Sequence, residues 1–393
     1  MNRAMRFFLF LGLILLVLPF NIHANEEDVD STAIKEEQKV DVRVTELRAQ
    51  VSPQLEIVLP TGNIYQHFVT YFNNLEMTFN LNFSVMGNTL GGDIRFTYPM
   101  NIIAPYISFY QKLDFENYIA PAFDGKELTL APTDKYIARN RGFNVGLKYE
   151  ILNNFYLVPS FVVNETFKGS LTENKVLEEG VDIIPQISFV YDSVKAEDTD
   201  KEPIFSGIYY NTKFSIRYRN DFHTPMDAEN KNLFLLHHNL KRAWFFEERA
   251  TLNYPIKVWE KGLAKFYSLG GIESIRGYEE YSIDSFRFFL LSSNVEREIL
   301  QDKELKVKLF KKTVRVHQYR LFLLFDSLFT QERYSIQSHV SCYSSLGAGI
   351  AFSLSGKEKT HFKIRLSAAQ GLTRDFAPII YFRTSLFSFE RRL

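Results

Sequence analysis

From residue 75 to 100 the sequence alternates apolar and polar residues one by one. Leu75, Met77, Phe79, Leu81, Phe83 and Val85 alternate with Glu76, Thr78, Asn80, Asn82 and Ser84. After a turn over 88–92, Ile94, Phe96, Tyr98 and Met100 alternate with Asp93, Arg95 and Thr97. Successive strand residues point to opposite faces, so each segment has one apolar and one polar side. The same pattern runs through 143–149 and 208–218. Further strands are expected at 104–113, 155–165, 184–193, 232–240, 244–253, 285–299, 314–329, 343–354, 361–370 and 378–389. Runs of this length exceed the roughly 5–6 residues usual in a soluble sheet. They match the roughly 9–11 residues with which a tilted strand crosses a bilayer. In such a barrel the apolar face meets lipid and the polar face lines the lumen. A soluble all-β protein, whose apolar faces would have to meet each other, is the alternative.

Composition fits two surfaces of opposite character. The chain has 37 Phe and 21 Tyr, yet its mean hydropathy is −0.15, because every second strand residue is polar. Lys and Arg number 46, as do Asp and Glu, which argues against a nucleic-acid partner. A single cysteine, Cys342, rules out a disulfide framework and a Cys-rich metal site. The polar and apolar faces together call for an all-β transmembrane antiparallel barrel. About 325 residues follow residue 65, enough for sixteen strands of roughly ten residues, with fourteen as the alternative. The stretches 114–140, 165–182, 193–206 and 220–232 are expected to be loops.

The N-terminus carries an export signal. Arg3 and Arg6 precede the apolar run Phe7 to Phe20, and Ile22-His23-Ala24 offers a small residue for cleavage. Fourteen residues are few for a membrane span; an uncleaved anchor is the alternative. Residues 1–24 are therefore read as a signal peptide. Residues 25–64 are read as a short acidic periplasmic leader, with a short helix around 44–51 limited by Pro53 and Pro60. Residues 65–393 are read as the barrel.

One segment is not explained by alternation. Phe266-Tyr267-Ser268-Leu269-Gly270-Gly271-Ile272-Glu273-Ser274-Ile275-Arg276-Gly277-Tyr278 joins a glycine pair to an Arg-Gly-aromatic tip. Here the chain resembles the outer-membrane assembly and translocation barrels of the BamA type, also called the bacterial surface antigen family. The resemblance extends in order over about 184–389. It takes in Ile187 to Ser193 with Pro203 and Gly207, Asn294-Val295-Glu296, and Leu323-Leu324-Phe325-Asp326-Ser327. It ends with Ser344 to Ile350, Ile364 to Ala369, and Tyr381 to Phe389. The resemblance implies a bacterial outer-membrane location and a long loop folded back into the barrel. It also implies help in inserting or translocating proteins or lipids, by pairing an incoming strand at a weak seam between the first and last strands.

The chain departs from that pattern in four places. Leu328 stands where the family commonly has Gly, two residues past the Asp. Residues 25–64 are too few for one POTRA domain, which points to a POTRA-less member. Nor is a phospholipase domain expected before the barrel, such as the resemblance implies for some relatives. The chain ends Phe389-Glu390-Arg391-Arg392-Leu393 rather than on an aromatic.

Charge suggests how the loop would be held. An arginine inside a barrel is partly desolvated and needs an acidic partner. Asp326 is the first candidate for Arg276, and Glu296 the second. Gly270, Gly271, Arg276, Gly277 and Tyr278 form the candidate lid-loop motif. A passive channel partly plugged by this loop is a second reading.

A third reading is a lipolytic enzyme using His339 and Ser341, which share a strand face. No acid or amide is clearly placed to orient that His, so no catalytic residue is assigned. His237 and His238 are adjacent and face opposite sides, so no metal site is assigned. No phosphate loop or dinucleotide fingerprint occurs, so no cofactor is expected. The expected partners are outer-membrane lipids and unfolded outer-membrane or secreted clients.

Overall fold

The computed structural model describes residues 55–388, apart from 60–62, 73, 85–88, 116, 120–121, 124–127, 130–136, 169–179, 198–203, 221–222, 224, 241–242, 260–263, 273, 280–281, 300–304, 310–311, 332–338, 356–359 and 374–376. The predicted signal, the helix around 44–51 and the C-terminal tail after 388 lie outside the described residues.

The described residues form an eighteen-stranded antiparallel sheet. Two short members, Lys195–Glu197 and Leu305–Leu309, each pair with a single neighbour. The other sixteen make an up-and-down ring in chain order. They are β1 (Leu55–Leu59), β2 (Asn63–Phe72), β3 (Leu75–Ser84), β4 (Thr89–Thr97), β5 (Ile103–Phe115), β6 (Ile137–Leu152), β7 (Phe155–Lys168) and β8 (Gly180–Asp192). Then come β9 (Ile204–Arg219), β10 (Pro225–Leu240), β11 (Trp244–Val258), β12 (Arg287–Glu298), β13 (Lys312–Gln331), β14 (Val340–Ser355), β15 (Thr360–Gly371) and β16 (Ile379–Ser388).

The ladder returns on itself at β1, which pairs with β2 on one side and with β16 on the other. Among the described residues this strand has five, whereas the other ring strands have nine to twenty. With an even strand number, both ends of the ring lie on the same side. The long connections 116–136 and 259–286 lie on the opposite side.

The faces alternate as the pattern requires. Along β13, Leu321, Leu323, Phe325 and Phe329 are exposed on the outside, while Phe322, Leu324, Asp326 and Leu328 are buried on the inside. Outward apolar residues continue around the ring with Leu81, Ile94, Phe109, Phe214, Ile216, Leu252 and Leu366. Cys342 is also exposed.

Three expectations change. Among the described residues the wall already includes Leu55–Leu59, ahead of residue 65, so β1 occupies part of the stretch read as leader. Pro53 and Pro60 bracket six residues, too short a run for alternation to stand out.

The loops are shorter than expected, because strands already run through 137–140, 165–168, 180–182, 204–206 and 225–232. Some of these segments read as polar because their inward side chains pair across the lumen wall. Arg219 donates to Asp182 through Nε and Nη2 at 2.8 and 3.0 Å, and Arg217 pairs with Asp227.

Finally, the inner face is not polar throughout. On β12 and β13, Phe288, Leu290, Phe322, Leu324 and Leu328 point inward and are buried. They are covered by the connection between β11 and β12.

Candidate functional site

That connection begins with a strand, Ala264–Leu269, which pairs with Ile283–Ser285 and with Asn117–Ile119 from the β5–β6 connection. Between the two arms of this hairpin the chain turns into the ring. Gly270 and Gly271 have φ of +123° and +82°, and the Gly271 amide donates to the Tyr278 carbonyl at 3.0 Å, closing the neck of the loop. Ser274 donates its amide back to the Gly271 carbonyl at 3.2 Å.

The tip is fixed by charge. Arg276 donates from Nε and Nη2 to the two carboxylate oxygens of Asp326, at 2.8 and 2.5 Å. Its backbone amide donates to the same carboxylate at 2.9 Å, and its Nη1 donates to Asn294 Oδ1 at 2.8 Å. The Asp326 side chain is 0% exposed and that of Arg276 13%. Such a pair loses much hydration, and its net worth depends on how fully its remaining hydrogen-bonding groups are met. Here the carboxylate accepts three charge-matched or backbone donors, the arrangement in which a buried pair holds best.

Next to Arg276 the loop docks by its backbone. Gly277 has φ +83°, and a Cβ there would lie 2.7 Å from the backbone of Gln370 and Gly371 on β15, so only glycine fits. Its amide donates to the Tyr381 hydroxyl of β16 at 2.8 Å, and its carbonyl accepts from the Gly371 amide at 3.1 Å. Tyr278 is buried edge-on to Tyr343, 5.8 Å between centroids. Its hydroxyl donates to the Ser344 carbonyl at 2.9 Å and lies 2.9 Å from Thr373 Oγ1. A side chain at Gly371 would run into this ring, its Cβ 2.7 Å from Cζ. Beneath the loop, Leu269, Ile275, Tyr278, Ile283, Phe288, Leu290 and Leu328 form one apolar cluster. Leu328 therefore fills the space below Ile275 with a large side chain.

The structure thus brings Gly270, Gly271, Arg276, Gly277, Tyr278 and Asp326 into one locus. Glu296 belongs elsewhere. It lies four residues along β12 from Ser292, the register partner of Asp326, or roughly 13 Å of strand. Its carboxylate instead accepts from Arg320 Nη1 at 3.4 Å and pairs with Arg365, tying β12 to β13 and β15. Asn294 takes the role given to Glu296 as the further partner of Arg276.

The sequence reading also missed Tyr381, Thr373 and Gly371. Their contacts run through hydroxyl and backbone groups, which carry no charge pattern to follow. His339 and Ser341 lie at the start of β14 with His339 exposed. No group of His, Cys, Asp or Glu able to hold a metal occurs among the described residues.

A ring of sixteen antiparallel strands with an apolar outer face, and a loop folded into its lumen, defines a transmembrane β-barrel. No protein-family model and no curated protein matches the sequence. Among solved structures, BamA of Haemophilus ducreyi lacking POTRA domains 1–3 is similar at 12% identity and a TM-score of 0.56, over 85% of this chain and 69% of that one. CdiB of Escherichia coli is similar at 10% identity and 0.55, over 85% of this chain and 62% of that one. CdiB of Acinetobacter baumannii is similar at 11% identity and 0.50, over 85% and 59%. The chain thus spans about three-fifths of the length of the two CdiB proteins. Its fold is that of the BamA-type barrels.

Proposed function

We propose that this chain is a bacterial outer-membrane barrel that helps insert or translocate other polypeptides, with the β1–β16 seam as the working edge. The observation that carries this reading is β1. Among the described residues a five-residue strand closes the ring, against neighbours of ten residues each. Few main-chain hydrogen bonds hold its described residues, so parting there exposes the unpaired edge of β16, a template for an incoming strand. The loop is fastened to β13, β15 and β16, so its anchors lie on the wall beside the seam. The fold likeness to BamA and CdiB agrees with this reading.

Locking the seam tests it. Ile57 and Thr384 are register partners on β1 and β16. In a Cys342→Ser background, Ile57→Cys with Thr384→Cys should cross-link the seam. Oxidised protein in liposomes should then lose insertion of an unfolded outer-membrane barrel, and reductant should restore it. Equal insertion by locked and reduced protein would refute the seam mechanism.

A second reading, a solute channel plugged by the loop, is favoured by a polar cavity of about 440 Å³ in the lumen. On this reading Arg276→Ala raises single-channel conductance severalfold, because it frees the plug; unchanged conductance counts against it.

A further inference from the structure

The polar cavity lies inside the ring against β4 to β10, away from the wall that the loop tip contacts, and is lined by residues such as Ser108, Asn144, Asn164 and Gln186. Three of its four carboxylates are paired with cations, and the fourth accepts from an amide. Asp93 accepts from Asn80 Nδ2 at 2.8 Å, and Asp182 from Arg219. Asp227 pairs with Arg217, and Glu229 takes Lys231 Nζ at 2.7 Å and the Tyr267 hydroxyl at 2.8 Å. A free anion entering the cavity meets Asp93, Asp182, Asp227 and Glu229; a free cation meets Lys213, Arg217 and Lys231. Neither finds a patch of one sign. Apolar lining is confined to Val162 and Ile184, with the Tyr110 ring, too little for a hydrophobic ligand.

What remains are amides and hydroxyls held in place. Tyr110 donates to Asn164 Oδ1 at 3.0 Å, and Asn164 Nδ2 donates to Asn140 Oδ1 at 3.2 Å. Thr166 donates to the same Asn140 oxygen at 3.0 Å, and such a network keeps its shape. One acceptor is left over. Asn144 Oδ1 is buried without a hydrogen-bond partner, level with Ser108 on β5 and Val162 on β7. A buried orphan acceptor is costly and calls for a donor.

From this geometry we infer a binding site in the barrel lumen for a small neutral polyhydroxylated solute, of mono- or disaccharide size. Hydroxyl groups both donate and accept, which suits a wall where amides and hydroxyls stand among charges of both signs. The volume lies within the roughly 300–1,000 Å³ of small-molecule sites. With one ring and no aromatic sandwich, the dissociation constant is on the order of 1 mM. The site does not depend on whether the barrel inserts proteins.

Calorimetric titration of the full chain in nanodiscs with glucose and maltose tests this, with sodium glutamate and choline chloride as charged controls. The expected result is saturable binding of a neutral sugar and none of the charged probes. Asn144→Leu should weaken it about tenfold, as expected for one lost hydrogen bond. Should that variant misfold, Asn144→Cys in the Cys342→Ser background gives a second measurement: sugar should slow its modification by a water-soluble thiol reagent. No saturable sugar binding, preference for a charged probe, undiminished binding by a folded Asn144→Leu barrel, or no protection of the cysteine would overturn the inference.

Discussion

Where β13 faces inward it carries Phe322, Leu324 and Leu328; where β9 faces inward it carries Lys213, Ser215, Arg217 and Arg219. Both strands put apolar side chains outward, Leu323 and Phe325 on one, Phe214 and Ile216 on the other. The outer faces answer to one solvent and the inner faces to two. The β12–β16 side of the lumen is covered by protein, the loop, while the β4–β10 side is open and polar. Each side nevertheless contains a buried ion pair, Arg276–Asp326 in the first and Arg219–Asp182 in the second. The first joins the loop to the wall. The second joins two neighbouring wall strands, so it can fail without releasing the loop.

This contrast predicts the largest effect. Arg276→Ala leaves a fully buried Asp326 without its cation and should cost about 3–5 kcal/mol in denaturant unfolding from detergent. The double variant with Asp326→Ala should lose clearly less than the two single losses added together. Arg219→Ala should cost a similar amount without raising conductance. Additive losses at Arg276 and Asp326 would show that the pair does not hold the loop.

A smaller effect is expected from packing. Leu328 is 0% exposed in the cluster beneath Ile275 and Tyr278. Leu328→Ala should cost about 2–5 kcal/mol, the usual range for such a truncation in a core. Val162→Ala, on a part-exposed side chain facing the open cavity, should stay within about 1 kcal/mol. Similar losses at both sites, read from the same unfolding curves, would erase the distinction between a filled and an open half.

The open half was legible in part from alternation, clearest over 94–100, 143–149 and 208–218, while its strand ends at 137–140, 165–168, 180–182, 204–206 and 225–232 were read as loops. The filled half left a different trace in the sequence. Leu321-Phe322-Leu323-Leu324-Phe325 and Phe288-Phe289-Leu290-Leu291 are unbroken apolar runs. A strand covered on both faces reads this way, but Leu233-Phe234-Leu235-Leu236 on β10 is an equally unbroken run in the open half, so apolar runs alone do not mark where the lumen is filled.

The motif residues were legible because Arg-Gly-Tyr after a glycine pair is unusual, and Asp326 because a buried arginine demands an acid and the resemblance pointed to the strand that carries it. Asn294 was not, because the second bond to a guanidinium can come from any acceptor in reach. Strands β1 and β2 were missed for lack of a long clean alternation before residue 75. The resemblance to BamA-type barrels holds at the level of the fold.

The smallest effect tests where the two halves touch. Tyr267 stands on the strand leading into the loop, its ring edge-on to Phe288 at 5.2 Å in the filled half. Its hydroxyl crosses to Glu229 in the open half. Tyr267→Phe keeps the ring contact and removes the crossing bond. Glu229 retains Lys231, so no charge is stranded, and the loss should be about 0.5–1.5 kcal/mol. It should vanish in a Glu229→Gln background if the carboxylate is what the hydroxyl needs. Combined with Arg276→Ala, the two losses should add to within about 0.5 kcal/mol, as for sites without shared partners. Coupling well beyond that would mean the loop responds as one rigid body from Glu229 to Asp326. The two halves of the lumen would then be a single mechanical unit, and a ligand in the open half would act directly on the plug.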